Sequence, residues 1–302
     1  MTRVATIPLQ RTMAAAIQRS QSMLATTQTQ LSTGKKANNF ADLGTEAVRN
    51  LSTHSLLARQ DAESAVAKRV STTLSLYDAH LGSMESAADD LRQTILTAVG
   101  TQQAAGLQSA IDAAFHQYTA SLNASDGGTP LFAGSQTASD PFKPTKLADL
   151  AGLDQSKAFG DDSVLATARV AEGVDVPYGI NATAAGGGLY AAFRTLAEAG
   201  SIGTNPTAAQ LKSLADAAGQ LESGLGSLRA INADNGRRQA QVDSLATRGD
   251  QRSLVLKDVI ASNEDADLGQ VAMNLAQQKT TLEASYSVFS QLSGLSLVQF
   301  LK

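Results

Sequence analysis

The 302-residue sequence has no cysteine and no tryptophan. The first absence removes disulfides, zinc–thiolate sites and cysteine nucleophiles together. It leaves the redox compartment undetermined and is compatible with life outside a cell. Aromatic residues make up only 4% of the chain although hydrophobic residues reach 43%. Much of that apolar share is alanine, which favours long helices over a bulky core. No apolar run approaches the ~18 residues of a membrane span. Positive charge is also scarce, with 24 Lys and Arg against 28 Asp and Glu and a net charge of -4. The cations are spread along the chain, so the electrostatic footprint of a nucleic-acid-binding protein is missing. Near the start, Arg3, Arg11 and Arg19 interrupt short apolar pieces. A cleavable secretory signal is therefore not expected, and export would need a route that removes none. The length allows two domains or more.

What the sequence does contain is heptads. Over residues 10–33, Ile17, Leu24 and Leu31 recur every seven residues, with Met13, Ser20 and Thr27 at companion positions and Gln, Ser and Thr on the flanks. A stronger series places Val70, Tyr77, Met84, Leu91 and Ala98 on one register and Leu74, Leu81, Ala88 and Ile95 on the other, an a/d seam. Residues 32–44 between them are rich in turn formers and read as a connector. Helix resumes from about Leu107 to Leu122, then Gly127, Gly128 and Pro130 break the register. Four of the six prolines fall between Pro130 and Pro177, where Ser163 to Val170 and Val174 to Tyr178 carry strand formers between turns. This predicts a small β-rich insertion, with Gly186-Gly187-Gly188 as its flexible return.

Heptads then reappear as Leu211, Ala218, Leu225 and Leu214, Leu221, Leu228, less regular through Val242, Leu245, Leu256 and Val259. Ser262-Asn263 is expected to break the helix and cap the next one, with Glu264, Asp265 and Asp267 favourably placed in its first turn. The last helix carries Leu268, Leu275, Leu282 and Phe289 seven apart, with Val271 and Leu292 near the companion seam. The expected fold is mainly α: a long antiparallel helical rod with terminal coiled-coil helices and a small β-rich insertion domain. Its divisions are 1–45 with 263–302, a terminal assembly domain; 46–128 with 189–262, a helical rod; and 129–188, the outer insertion.

Both ends carry an apolar seam, and an isolated amphipathic helix is marginal in water. The central seams are expected to pack within one chain. The terminal ones, Ile17, Leu24, Leu31, Leu268, Val271, Leu275, Leu282, Phe289 and Leu292 with Leu295 and Leu297 beyond, are expected to pack between chains and to order on assembly. Gln28, Gln30, Gln277, Gln278 and Gln291 give these helices an uncharged polar flank, suited to lining a water-filled channel.

Five stretches carry a family resemblance. Gln30-Leu31-Ser32-Thr33-Gly34-Lys35-Lys36 is similar to the flagellin superfamily's motif after its first helix. Leu282-Glu283-Ala284-Ser285-Tyr286 and Leu295-Ser296-Leu297-Val298-Gln299-Phe300-Leu301 resemble that superfamily's closing helix. Asp126-Gly127-Gly128-Thr129-Pro130-Leu131-Phe132-Ala133-Gly134 and Ala284-Ser285-Tyr286-Ser287-Val288-Phe289-Ser290 resemble the branch that joins hook to filament, with the filament subunits as the alternative. The resemblance implies a structural subunit of the bacterial flagellum, exported unfolded through the type III apparatus and assembled outside the cell. Its implied partners are copies of itself, hook-associated protein and flagellin neighbours along the axis, and an export chaperone.

Chemistry has little to stand on. His54, His80 and His116 are too far apart in sequence for a local metal motif. The Gly186 triplet lacks the Lys-Ser/Thr that follows a phosphate-binding loop. Asp89-Asp90 and Asp161-Asp162 are adjacent pairs whose side chains diverge. No enzyme activity, cofactor or metal is expected. Two rival readings remain distinct: a virulence translocator, which would need a membrane-inserting stretch, and a binding protein or enzyme using the aromatic residues Phe132, Phe142, Phe159 and Tyr178 of the insertion.

Overall fold

The structure is a computed structural model and describes residues 3–298, with side chains at Pro8 and over 11–291. The elements are α1 (Arg3–Thr33), α2 (Glu46–Thr101), α3 (Leu107–Leu122), β1 (Ser125–Asp126), β2 (Thr129–Pro130), α4 (Gln155–Ala158), β3 (Thr167–Ala171), β4 (Val174–Pro177), α5 (Ala182–Glu198), α6 (Ala208–Glu264) and α7 (Leu268–Val298). The fold is mainly α, as the heptads require. The chain divides into a central unit, residues 60–251, and a terminal unit, residues 1–59 and 252–302.

The central unit is built on the α2 heptads. Val70, Leu74, Tyr77, Leu81, Met84, Ala88, Leu91 and Ile95 are all nearly inaccessible. On α6, Leu214, Ala218, Leu221, Leu225 and Leu228 are equally buried, and Leu211 is half-buried. The two helices run antiparallel, since Asn235 Nδ2 donates to the Leu74 carbonyl at 2.9 Å, Arg229 Nε to Glu85 at 2.6 Å and Ser71 Oγ to Asp243 at 2.6 Å. The scarce aromatic residues are concentrated here. Phe115, Tyr118, Phe142, Phe159, Tyr190 and Phe193 form one cluster with ring centroids 4.9–6.4 Å apart, the range of edge and tilted packing. Because Phe132, Phe142 and Phe159 are buried in this core, they offer no exposed platform for a ligand.

In and just before the 129–188 segment the strand content is small: β1 pairs with β2 and β3 with β4, each an antiparallel hairpin. The remaining backbone is held by side chains acting as caps. Asn123 brackets Phe142, accepting its N–H and donating to its carbonyl, both at 2.8 Å. Asp162 accepts from the hydroxyl and N–H of Ser135, the N–H of Val164 and Gln136, which together hold its carboxyl at about 2.

Two sequence expectations are corrected. The Gly186–Gly188 triplet is not a flexible return but lies inside α5, whose first turn is capped by Asn181 Oδ1 accepting the Ala184 N–H at 3.0 Å. Glycine is needed there for closeness. A Cβ at Gly224 of α6 would stand 2.5 Å from the Gly188 carbonyl oxygen, and one at Gly186 would stand 2.7 Å from the Tyr118 hydroxyl. The second correction concerns the break before the last helix. α6 runs through Ser262-Asn263 to Glu264, and the cap is Asp267, whose carboxylate accepts the N–H groups of Gly269 and Gln270 at 2.9 and 3.2 Å. The chain leaves the helix where its backbone pairs with the connector, Lys36 N–H to the Glu264 carbonyl at 2.6 Å and Ala266 N–H to the Gly34 carbonyl at 2.8 Å.

Candidate assembly interface

In the terminal unit α1 and α7 pack against each other and run antiparallel. Lys35, just past α1, bonds Asp265 just before α7, and further along Gln21 Nε2 donates to the Tyr286 hydroxyl. Ile17 and Val271 are buried at 9% and 7% exposure. Leu24, Leu275, Leu282 and Phe289 are half-buried, whereas Leu31 and Leu268 are 39% and 49% exposed. The side chains of Leu292, Leu295 and Leu297 lie outside the described residues. Gln277 and Gln278 line a shallow groove between the two helices together with Ser20 and Met23, and the buried Gln278 Oε1 has no partner.

The two units differ sharply in how they treat apolar surface. Among the described residues, the buried hydrophobic side chains of the terminal unit are Ile17, Ile260 and Val271, while the continuous hydrophobic core lies wholly in the central unit. Conversely, eleven of the fourteen strongly exposed large apolar side chains belong to the terminal unit, although it is the smaller of the two. Met23, Met273, Tyr286 and Val288 stand on α1 and α7, and Val48, Leu51, Leu254 and Val255 on the adjoining ends of α2 and α6. Fully burying one such side chain is worth about 1.5–3 kcal/mol. A surface this apolar gains most when a neighbour covers it.

A polar clasp ties the two connectors of this unit. Lys35 Nζ reaches Asp265 at 2.6 Å and Glu264 at 3.3 Å. Glu264 also accepts from the wholly buried Asn50 at 2.6 Å and meets His54 Nε2 at 2.5 Å, while the edge of Phe40 packs on His54 with ring centroids 5.6 Å apart. The His54 bond, with help from Asn50 and Lys35, holds the Glu264 carboxyl below its usual range. Asp265, then Glu264, hold the Lys35 ammonium above its own. Sequence reading assigned Glu264 and Asp265 to the dipole of the last helix. Their partners are more than 200 residues away in sequence, so only the basic step Lys35-Lys36 and the acid pair hinted at the clasp.

Among the described residues no three His, Asp or Glu side chains gather as a metal site, and no helix is long and apolar enough to cross a membrane. Residues 4–137, from α1 through the start of the insertion, match the bacterial flagellin N-terminal helical region. The motif read at Gln30–Lys36 falls inside it. The chain is also 26% identical over 294 residues to the flagellar hook-associated protein 3 of Escherichia coli (strain K12), covering 90% of this chain and 91% of that one. Two solved structures share the fold. One is described as a flagellar hook-associated protein from Vibrio parahaemolyticus, with TM-score 0.61 and 17% identity over 74% of this chain and all of that one. The other is FlgL from Bacillus cereus, with TM-score 0.58 and 14% identity over 70% of this chain and 99% of that one.

Proposed function

We propose that this chain is a structural subunit of the bacterial flagellum, placed at the hook–filament junction and assembled through its terminal helices. The observation that carries the reading is the terminal unit itself: among the described residues its pair of heptad helices buries two apolar side chains, Ile17 and Val271, against a concentration of exposed ones. An isolated monomer gains nothing from such a surface, but a ring or tube of copies covers it. The alignment with a hook-associated protein over about nine-tenths of both chains supports the junction as its place.

In this reading residues 1–45 and 263–302 form the assembly domain. Ile17, Leu24, Leu31, Leu268, Val271, Leu275, Leu282 and Phe289, with Leu292, Leu295 and Leu297, pack against neighbouring copies, and the Gln-rich flank faces the channel. The chain is exported, works outside the cell, and meets a hook-associated protein on one side and flagellin on the other, after escort by an export chaperone. Its role is mechanical, with no catalysis and no cofactor. Immunogold labelling of intact flagella tests the placement. A single band of label between hook and filament is expected. Label along the whole filament would instead make the chain a filament flagellin, and flagella without label would overturn the reading.

A further inference from the structure

In the central unit three large apolar side chains are strongly exposed among the described residues: Leu96, Val164 and Leu165. Leu165, with Val164 beside it in the chain, borders a hollow of about 500 Å³ between α6 and the insertion, where Ile180 and Ile231 complete an apolar wall. Its polar wall is Asn235 and Arg238, the latter paired with Asp234 at 2.7 Å. Asn235 is 1% exposed; its Nδ2 donates to the Leu74 carbonyl, but its Oδ1 has no hydrogen-bond partner. An acceptor buried without a partner is unfavourable. The hollow therefore suits an occupant with an apolar body and one N–H or O–H donor; Arg238 is already held by Asp234, which also pairs with Arg237 at 2.6 Å. A lone water would satisfy Asn235 and leave Leu165 uncovered.

The same chain presents that combination elsewhere. Leu96 is exposed on α2 with Gln93 one turn before it on the same face. One amide hydrogen of Gln93 is engaged by Asp89 at 2.8 Å, which leaves its second as a donor. Leu96 lies roughly 33 Å along α2 from Leu74, the residue that Asn235 touches, so it cannot fill the hollow of its own chain. We infer that the hollow is a docking site for a second copy of this chain, receiving Leu96 and Gln93. Knob and hollow are different surfaces, so the contact is head-to-tail and repeats from copy to copy. This rests on the assembly proposed above, which brings copies side by side.

The absence of cysteine allows a direct test. Full-length Leu96→Cys and Leu165→Cys chains are mixed at high concentration in solution and under assembly conditions, then mildly oxidised. A mixed disulfide dimer that predominates over either homodimer is expected, with a ladder from the doubly substituted chain. Asn235→Leu in the Leu165→Cys background should lower the yield about fivefold, as the loss of one hydrogen bond implies, with melting of the central unit as the check on folding. A dominant Leu165→Cys homodimer, capture of a different flagellar protein, or unlinked chains inside well-formed assemblies would overturn the contact and leave the terminal-helix reading intact. Failure of the chain to assemble in any form, with the mixed dimer still forming in solution, would overturn that reading and leave the contact standing.

Discussion

Gly224 and Gly226 are two residues apart on α6, and the account predicts opposite outcomes for the same substitution at each. Ala in place of Gly in a helix interior is worth about 0.8–1 kcal/mol from propensity alone. At Gly226 a new Cβ meets nothing within 4 Å, so Gly226→Ala is expected to stabilise by close to that amount. At Gly224 the Cβ would lie 2.5 Å from the Gly188 oxygen, 2.7 Å from its carbonyl carbon and 2.8 Å from Leu189 Cδ2. Ordinary carbon contacts lie near 3.5–4 Å, so the overlap is about 1 Å. It is against α5 backbone, which cannot rotate aside. Overpacking of this kind costs about 1–3 kcal/mol, and the rigid obstacle places it in the upper half of that range. The propensity gain is common to both, so Gly224→Ala should be less stable than Gly226→Ala by about 2–3 kcal/mol, a gap of roughly 4–12 °C for a unit of this size. Calorimetry of the full chain, following the transition of the central unit, reads both variants. If Gly224→Ala melts as high as Gly226→Ala, the close crossing of α5 on α6 is wrong, and with it the reason for the glycine triplet.

Other perturbations probe the clasp, the seam and the aromatic core. Because the Glu264 carboxyl is held below its ordinary value of 4.5, its contribution is complete above that value and is lost as the pH falls through the lower, folded one. Protease sensitivity of residues 34–45 should therefore rise below about pH 4.5 in the native chain; Glu264→Gln should raise it at neutral pH and flatten the acid dependence, and an unchanged acid profile in this variant would contradict the clasp. Leu24→Asp or Leu275→Asp should stop assembly, read by sedimentation, while leaving the melting of the central unit unchanged; assembly at native levels would remove these positions from the interface. Tyr118 donates to the Gly186 carbonyl at 2.9 Å inside the core, so Tyr118→Phe should cost about 1 kcal/mol, visible as a lowered melting temperature.

Much of this was legible in the sequence because periodicity reports burial. The heptads of α2 and α6 named their core residues, and the breaks around Asn123 and Pro130 marked where α3 ends. The terminal seam was legible as a pattern, but the degree of cover at each position depends on what a helix packs against, which spacing alone does not encode. Glycine misled at 186–188: the residue that frees a chain in a loop is also the one that lets two helices touch, and only the position of Gly224 decides between the two. In the insertion the strands were legible but not what holds the rest of the backbone. Its β-branched residues sit between turns too closely spaced for long strands, so Asp162 and Asn123 hold its backbone where strand ladders would. The clasp was hardly legible, hinted at only by its basic step and acid pair, because Lys35, His54 and Glu264 are joined by the fold alone.

The central claim is that the terminal helices are the assembly interface and are stabilised by neighbouring copies. Hydrogen exchange measured on the free chain and on the chain in isolated flagella tests it most directly. Amides of residues 11–33 and 268–291 should exchange rapidly in the free chain and slow by on the order of 100-fold or more in the flagellum, while those of α2 and α6 in the central unit stay protected in both. Terminal helices already as protected in the free chain as α2 would contradict the account.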